Sequence, residues 1–389
     1  MPANLNFDER LSQYRALIDD MSFPTVHAWK NAAPNRKVVG TFPVYSPHEL
    51  AHAAGMLPVM VVGAGGRVEI DHADSRIQSF VCSISRSTLE LGLTNRLVDF
   101  DAMWFPSICD VARNLSGIWT GNFPKQHVEF LHFPQNMDSE AAVRYYTHEL
   151  HKWAANLEKI SGKTITDADL RNSITVYNRN RRLMKELYEI KNVTPWLIST
   201  YEAYLLTRMG GIMTVEEHSA MLEEVMPQIR RRERTKRDYI RVILEGSFCE
   251  QPPLELLQVL EDAGCYIIND DLLVHTRWYL RDIPTEGDPW VAMAKSYIDN
   301  TTYSSVRHYG LKSRKEQFTE KIRNAHVDGV IFMAAKFCEP ALLDYVVLKD
   351  HLEKEGIVYL AFEYEEKMSV FESMRMQVET FVESIMFYS

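Results

Sequence analysis

Nowhere in this chain of 389 residues does an apolar run approach the ~20 residues that a membrane span needs. The opening segment, MPANLNFDERLSQYRALIDDM, carries early acids and no apolar signal core, so a cytoplasmic location is expected. Positive charge is in deficit. A formal net charge of -10 argues against a nucleic-acid binder, and neither nucleic acid nor membrane is an expected partner. Cysteine is scarce and odd in number, with five residues. In an unexported chain that disfavours a disulfide framework and favours free thiols or metal ligands. No Cys-x-x-Cys run of the ferredoxin or zinc type is present. No Walker A sequence is present either, so ATP hydrolysis, if it drives the chemistry, belongs to another chain. Gly63-Ala64-Gly65-Gly66 follows a strand-like run, but it lacks the third glycine and the helix start of a dinucleotide fingerprint.

What is present is a folded-protein composition, 46% hydrophobic and 25% charged, long enough for two or three domains. Residues 1–34 read as an N-terminal helical segment. Over 35–137, β-rich runs alternate with helical ones: KVVGTFPVY with SPHELAHAAG, then LPVMVVG, then DAMWFP with SICDVARNLSGIW. Such alternation implies βαβ units and a mainly parallel sheet. Residues 138–237 read as helical. Leu170, Ile174, Tyr177, Met184 and Leu187 form an apolar stripe, and Thr166 with Asp169 and Thr214 with Glu217 mark helix starts. From 238 to 389 the α/β rhythm returns and ends in a helix. The fold class is therefore α/β, with two open, mainly parallel-sheet domains and a helical segment between them.

GSFCEQPPLELL and AKFCEPALLDY echo one another, each following an apolar strand and opening a helix. That places Cys249 and Cys338 at the carboxyl edge of one sheet, where open α/β sheets bind ligands. Cys82 and Cys109 also sit at predicted strand-to-helix turns, where a helix N-terminus favours thiolate. Cys265, inside the strand-like GCYIIND, reads as a small buried hydrophobe. Glu250 and Glu339 follow two of the turn cysteines. They fit either proton carriers or caps of the helices they open. His148 and His151 in THELH are three apart, the wrong spacing for a zinc helix, and read as solvated. The basic run Arg230, Arg231, Arg232, Arg234, Lys236, Arg237 reads as a solvated helix end, or as a seat for coenzyme A phosphates or for a partner's acidic face.

FPVYSPHELAHAAGMLPV, FPSICDVARNLSGIW and FCEPALLDY together resemble the family of benzoyl-CoA reductase and 2-hydroxyacyl-CoA dehydratase subunits, over essentially the whole length. FPSICDVARNLSG with EGSFCEQPPLELL looks most like the smaller cluster-bearing subunit, the C subunit, of the ATP-dependent reductases. The resemblance implies flavodoxin-like domains and a [4Fe–4S] cluster held by Cys82, Cys109 and Cys338; the echo of the two Phe-Cys-Glu segments makes Cys249, Glu250 and Glu339 secondary candidates near it. It further implies one-electron, low-potential reduction of an aromatic acyl-CoA to a cyclic dienoyl-CoA. The implied partners are a related cluster-bearing subunit, an ATPase pair bearing its own cluster, and ferredoxin as electron donor. The runner-up implication is a 2-hydroxyacyl-CoA dehydratase subunit. Many relatives carry Arg-x-x-Ala-Phe near the C-terminus, where this chain has Gln377-Val378-Glu379-Thr380-Phe381. That departure allows an electron-relay role without direct substrate contact.

Overall fold

The structure is a computed structural model that describes residues 6–246, 248–272, 281–307 and 311–388. Ser247 and the first five residues, which belong to the second α/β segment and the N-terminal helical segment of the sequence, lie outside the described residues.

Two helices open the chain, α1 (Phe7–Asp19) and α2 (Pro24–Asn31). The first α/β unit follows with β1 (Val38–Thr41), α3 (His48–Ala53), β2 (Leu57–Met60), α4 (Ser83–Leu93), β3 (Ala102–Pro106), α5 (Asp110–Asn122) and β4 (His127–Leu131). Four helices come next: α6 (Glu140–Ser161), α7 (Asp167–Val193), α8 (Thr200–Met209) and α9 (Val215–Arg230). The second α/β unit has β5 (Ile240–Glu245), α10 (Leu254–Asp262), β6 (Cys265–Asn269), α11 (Pro289–Asp299) and α12 (Leu311–Ala325). It continues through β7 (Gly329–Ala335), α13 (Glu339–Glu355), β8 (Tyr359–Tyr364) and α14 (Glu372–Tyr388).

Among the described residues there are two four-stranded sheets, ordered β2-β1-β3-β4 and β6-β5-β7-β8, parallel at every pairing. The two orders are the same, as in flavodoxin-like folds. The central strands β1 and β7 are buried along their whole length. Strands covered on both faces read as continuous apolar runs, and VVGT and GVIFMAA do so. In each sheet the chain first builds outward to one side of its first strand and then crosses to the other. The switch points are therefore β1/β3 and β5/β7, and ligands in such sheets bind at the carboxyl ends there.

The helical segment joins the two units. α7 starts with a capping box in which Thr166 and Asp169 exchange hydrogen bonds. It packs against α3 of the first unit and β6 of the second. At its far end Lys191 Nζ donates to Asp270 Oδ2 at 2.5 Å and Tyr188 Oη donates to Asp270 Oδ1 at 2.8 Å, all fully buried. One apolar core runs through both sheets and these helices, and a smaller one fills the outer face of the second sheet under α12 and α13.

Candidate metal centre

Three helices begin on a cysteine. Cys82 is the N-cap of α4, Cys109 of α5 and Cys338 of α13. α5 and α13 follow β3 and β7 directly, so Cys109 and Cys338 stand at the two switch points. Phe337 adopts a left-handed backbone (φ 63°) that turns the chain from β7 into Cys338. Helices prefer Ser, Thr, Asp or Asn at this position, so three thiols there serve the helices poorly. Of the three, Cys109 alone caps its own helix, its Sγ accepting Ala112 N–H at 3.4 Å. None of the five cysteines is in a disulfide.

The thiols share one electrostatic neighbourhood across the seam between the units. Desolvation pushes the Cys82 thiol well above its usual range, and the charges of Glu250, Cys338 and Cys109 push the same way, against a hydrogen bond from Ser85. Cys109 is raised mainly by desolvation and also by Asp110 and Glu339, while the Ala112 and Val111 N–H groups oppose this. The helix ends therefore do not win over burial. These two cysteines rest as neutral thiols, contrary to the expectation that their helix ends would favour thiolate. Such thiols fit a bound cation, which deprotonates coordinating thiols outright. No three Cys, His, Asp or Glu side chains among the described residues converge as around a single ion. In a polynuclear cluster each thiolate binds a different iron, so its ligands stand wider apart.

Two buried carboxyls close the seam beside the thiols. Glu250 Oε2 accepts Ile84 N–H of α4 at 2.9 Å, and the backbone of Glu366 lies close to the same carboxyl. Glu366, just past β8, accepts Ser87 Oγ of α4 at 3.1 Å and backbone N–H groups of Ala64, Gly65 and Gly66. The Gly63–Gly66 loop thus receives a carboxyl of its own chain. Burial pushes Glu250 well up and Glu366 up to about 7, the donors around them opposing. The expectation that Glu250 caps the helix it opens is corrected, because α10 begins only at Leu254 and the carboxyl reaches α4 instead. Glu339 is the first residue of α13, where an acid favours the helix.

Residues 43–385 match the family model of the 2-hydroxyglutaryl-CoA dehydratase D-component. The C subunit of the benzoyl-CoA reductase of Thauera aromatica is 40% identical over 97% of this chain and 98% of that relative. The chain belongs to this dehydratase D-component family. The beta subunit of lactoyl-CoA dehydratase of Anaerotignum propionicum is 31% identical over 91% of this chain and 93% of its own. The beta subunit of (R)-2-hydroxyglutaryl-CoA dehydratase of Acidaminococcus fermentans is 27% identical over 92% and 94%.

The remaining sequence signals fall into place within the family fold. Cys265 is buried in β6 as a core residue. Cys249 follows β5 at the second switch point and packs part-buried against the main core. His148 and His151 are solvent-facing on α6, and His151 stacks on Trp290 at 4.1 Å. The basic run is largely solvent-facing, yet most of its charges are engaged within the chain. Arg232 and Arg234 both reach Glu202, Arg230 reaches Glu186, and Arg237 donates to Tyr239 Oη. The Gln377–Phe381 segment lies on α14, where Val378 and Phe381 pack inward and Gln377 faces solvent. Glu366 and its glycine loop were missed in the sequence. Their only signal was a four-residue glycine-rich stretch, and nothing local tells which group fills it. No helix among the described residues is long and apolar enough to cross a membrane.

Proposed function

We propose that this chain is the iron–sulfur subunit of an ATP-dependent aromatic acyl-CoA reductase, with Cys82, Cys109 and Cys338 holding one [4Fe–4S] cluster. The observation that carries the reading is the trio of cysteine N-caps, drawn from both α/β units into one electrostatic neighbourhood. The relationship to a benzoyl-CoA reductase subunit supports the substrate class. When bound, such a cluster supplies single electrons at low potential, with burial and hydrogen bonds tuning it. The chain's own part is to hold three thiols at helix ends, to seal the seam with buried carboxyls, and to keep water from the reduced centre. In this reading a related cluster-bearing subunit is the paired chain, an ATPase pair with its own cluster drives the electrons, and ferredoxin supplies them. An electron-relay role, without direct substrate contact, is consistent with the solvent-facing Gln377 where many relatives carry arginine.

The second reading, a 2-hydroxyacyl-CoA dehydratase subunit, is favoured by the matching family model and by two of the relatives. The test is anaerobic purification, iron and sulfide analysis, then assay with the partner subunits on benzoyl-CoA and on a 2-hydroxyacyl-CoA. Bound iron with ATP-dependent loss of the aromatic absorbance supports the reductase. Dehydration without net electron consumption selects the second reading, and a protein free of iron and sulfide sinks both. The chain alone is expected to hydrolyse no ATP.

A further inference from the structure

The two Phe-Cys-Glu segments diverge immediately after the glutamate. At Phe337-Cys338-Glu339 the helix begins at once, with Glu339 as its first residue. After Phe248-Cys249-Glu250 come Gln251, Pro252 and Pro253, and α10 begins only at Leu254. Proline donates no N–H and keeps the residue before it extended. The pair therefore holds Glu250 out of a helix, and its side chain crosses the seam to the other α/β unit.

There it meets Ile84, the second residue of α4, whose N–H is one of the four that a helix leaves open at its start. This is the bond that an N-cap side chain makes. The N-cap of α4 is Cys82, which makes no such bond; its Sγ rests 3.2 Å from Ser85 Oγ. Cys109 differs, since its sulfur caps α5 itself. Glu250 is well anchored for the task. Its side chain is buried, and its carbonyl accepts Tyr364 Oη of β8. The same helix is tied a second time to the second unit, through Ser87 and Glu366.

We propose that Glu250 is a positioning residue for Cys82, capping α4 from the opposite unit so that the Cys82 sulfur is left to the seam. Closing the seam and setting the thiol are then one event. The functional meaning rests on the reading of Cys82 as a cluster ligand; the capping does not. Wild type, Glu250→Ala, Glu250→Gln and Cys82→Ala are prepared anaerobically as full chains. In iron-free protein, the rates of Cys82 and Cys109 alkylation by iodoacetamide are followed by peptide mass; iron per chain is then measured after reconstitution. Loss of a cap frays the first turn, so Glu250→Ala should speed Cys82 alkylation about tenfold. The Cys109 rate should stay unchanged and bound iron should fall. Glu250→Gln keeps an acceptor oxygen and should stay within about twofold of wild type on the same reasoning. An unchanged Cys82 rate in Glu250→Ala overturns the proposal. So does a Gln variant as fast as the Ala variant, or equal acceleration at Cys109, which marks general loosening. Full iron in Cys82→Ala instead overturns the cluster reading, while the alkylation rates still decide the cap.

Discussion

At positions 82, 109 and 338 a hydroxyl or carboxamide would serve the helix better than a thiol does. Three cysteines in that position, drawn from both sides of a seam, are therefore explained by a demand other than helix stability. The sequence marked the turns at Cys109 and Cys338, which follow apolar strands and precede helices; the strand-to-helix turn expected at Cys82 is corrected, because β2 ends at Met60 and a long loop leads into α4. Spacing could not group them. Cys338 lies far along the chain from the others, and only the resemblance to a family singled out the trio. Replacing Cys82, Cys109 or Cys338 by alanine should sharply lower bound iron and erase the reduced-cluster EPR signal. Cys265→Ala should keep both and cost on the order of 1 kcal/mol of packing. Iron analysis and EPR on anaerobic preparations decide it, and full iron in any of the three ligand variants defeats the assignment. Cys249 is at the same sheet edge but outside the trio, so Cys249→Ser should keep iron while shifting the reduction potential. Loss of most iron there would instead promote it to a ligand.

Elements were legible where their own residues specify them. The capping boxes at Thr166 and Thr214 form as their spacing predicts, and the buried runs of β1 and β7 are parallel strands. The two-sheet α/β architecture with its intervening helices follows from the same patterns. What could not be read was any contact made between elements distant in sequence. The Gly63–Gly66 loop shows this, since its partner, Glu366, arrives from the other end of the chain. The loop also makes a discriminating test. Gly66 has φ +76°, and a Cβ there would stand 2.7 Å from the Glu366 carbonyl oxygen, a backbone atom that cannot swing away. Gly65 has φ +55° and open space around it. Gly65→Ala should cost only the left-handed backbone, about 1–2 kcal/mol. Gly66→Ala adds a clash with the other unit and should cost about 1–3 kcal/mol more. Urea unfolding midpoints compare them, and equal losses would show that the loop does not grip Glu366.

For the whole molecule, the repeated strand order sets two carboxyl edges against one seam, and the chemistry of that seam is acidic. This gives the fold a pH dependence with opposing parts. Glu366 is raised to about 7 mainly by burial. An acid whose folded pKa lies above its unfolded value, about 4.3, stabilises the fold below that lower value. The contribution is lost as pH climbs through about 7. Buried His218, held by Leu206 O at 2.9 Å and lowered to about 4 by burial, behaves oppositely. Its contribution is present above the ordinary histidine value of about 6.5 and is lost as pH falls toward 4. Buried His48, lowered to about 3, adds to that acid side. The two windows overlap between about pH 4.3 and 6.5, so there the contributions oppose one another, and each should be removable separately. Glu366→Gln should remove the Glu366 share of the opposing contribution between pH 5 and 7, up to about 3 kcal/mol given about 1.36 kcal/mol per pKa unit, so stability should rise more steeply with pH there; Glu261, also raised to about 7 by burial, keeps its own share. The substitution should leave the decline below pH 6 intact, because the histidines still have to charge on unfolding there. Unfolding midpoints of the iron-free chain at pH 5, 6.5 and 8 measure both contributions. If the Gln variant changes between pH 5 and 6.5 as wild type does, the seam carboxyl makes no pH-dependent contribution to this fold.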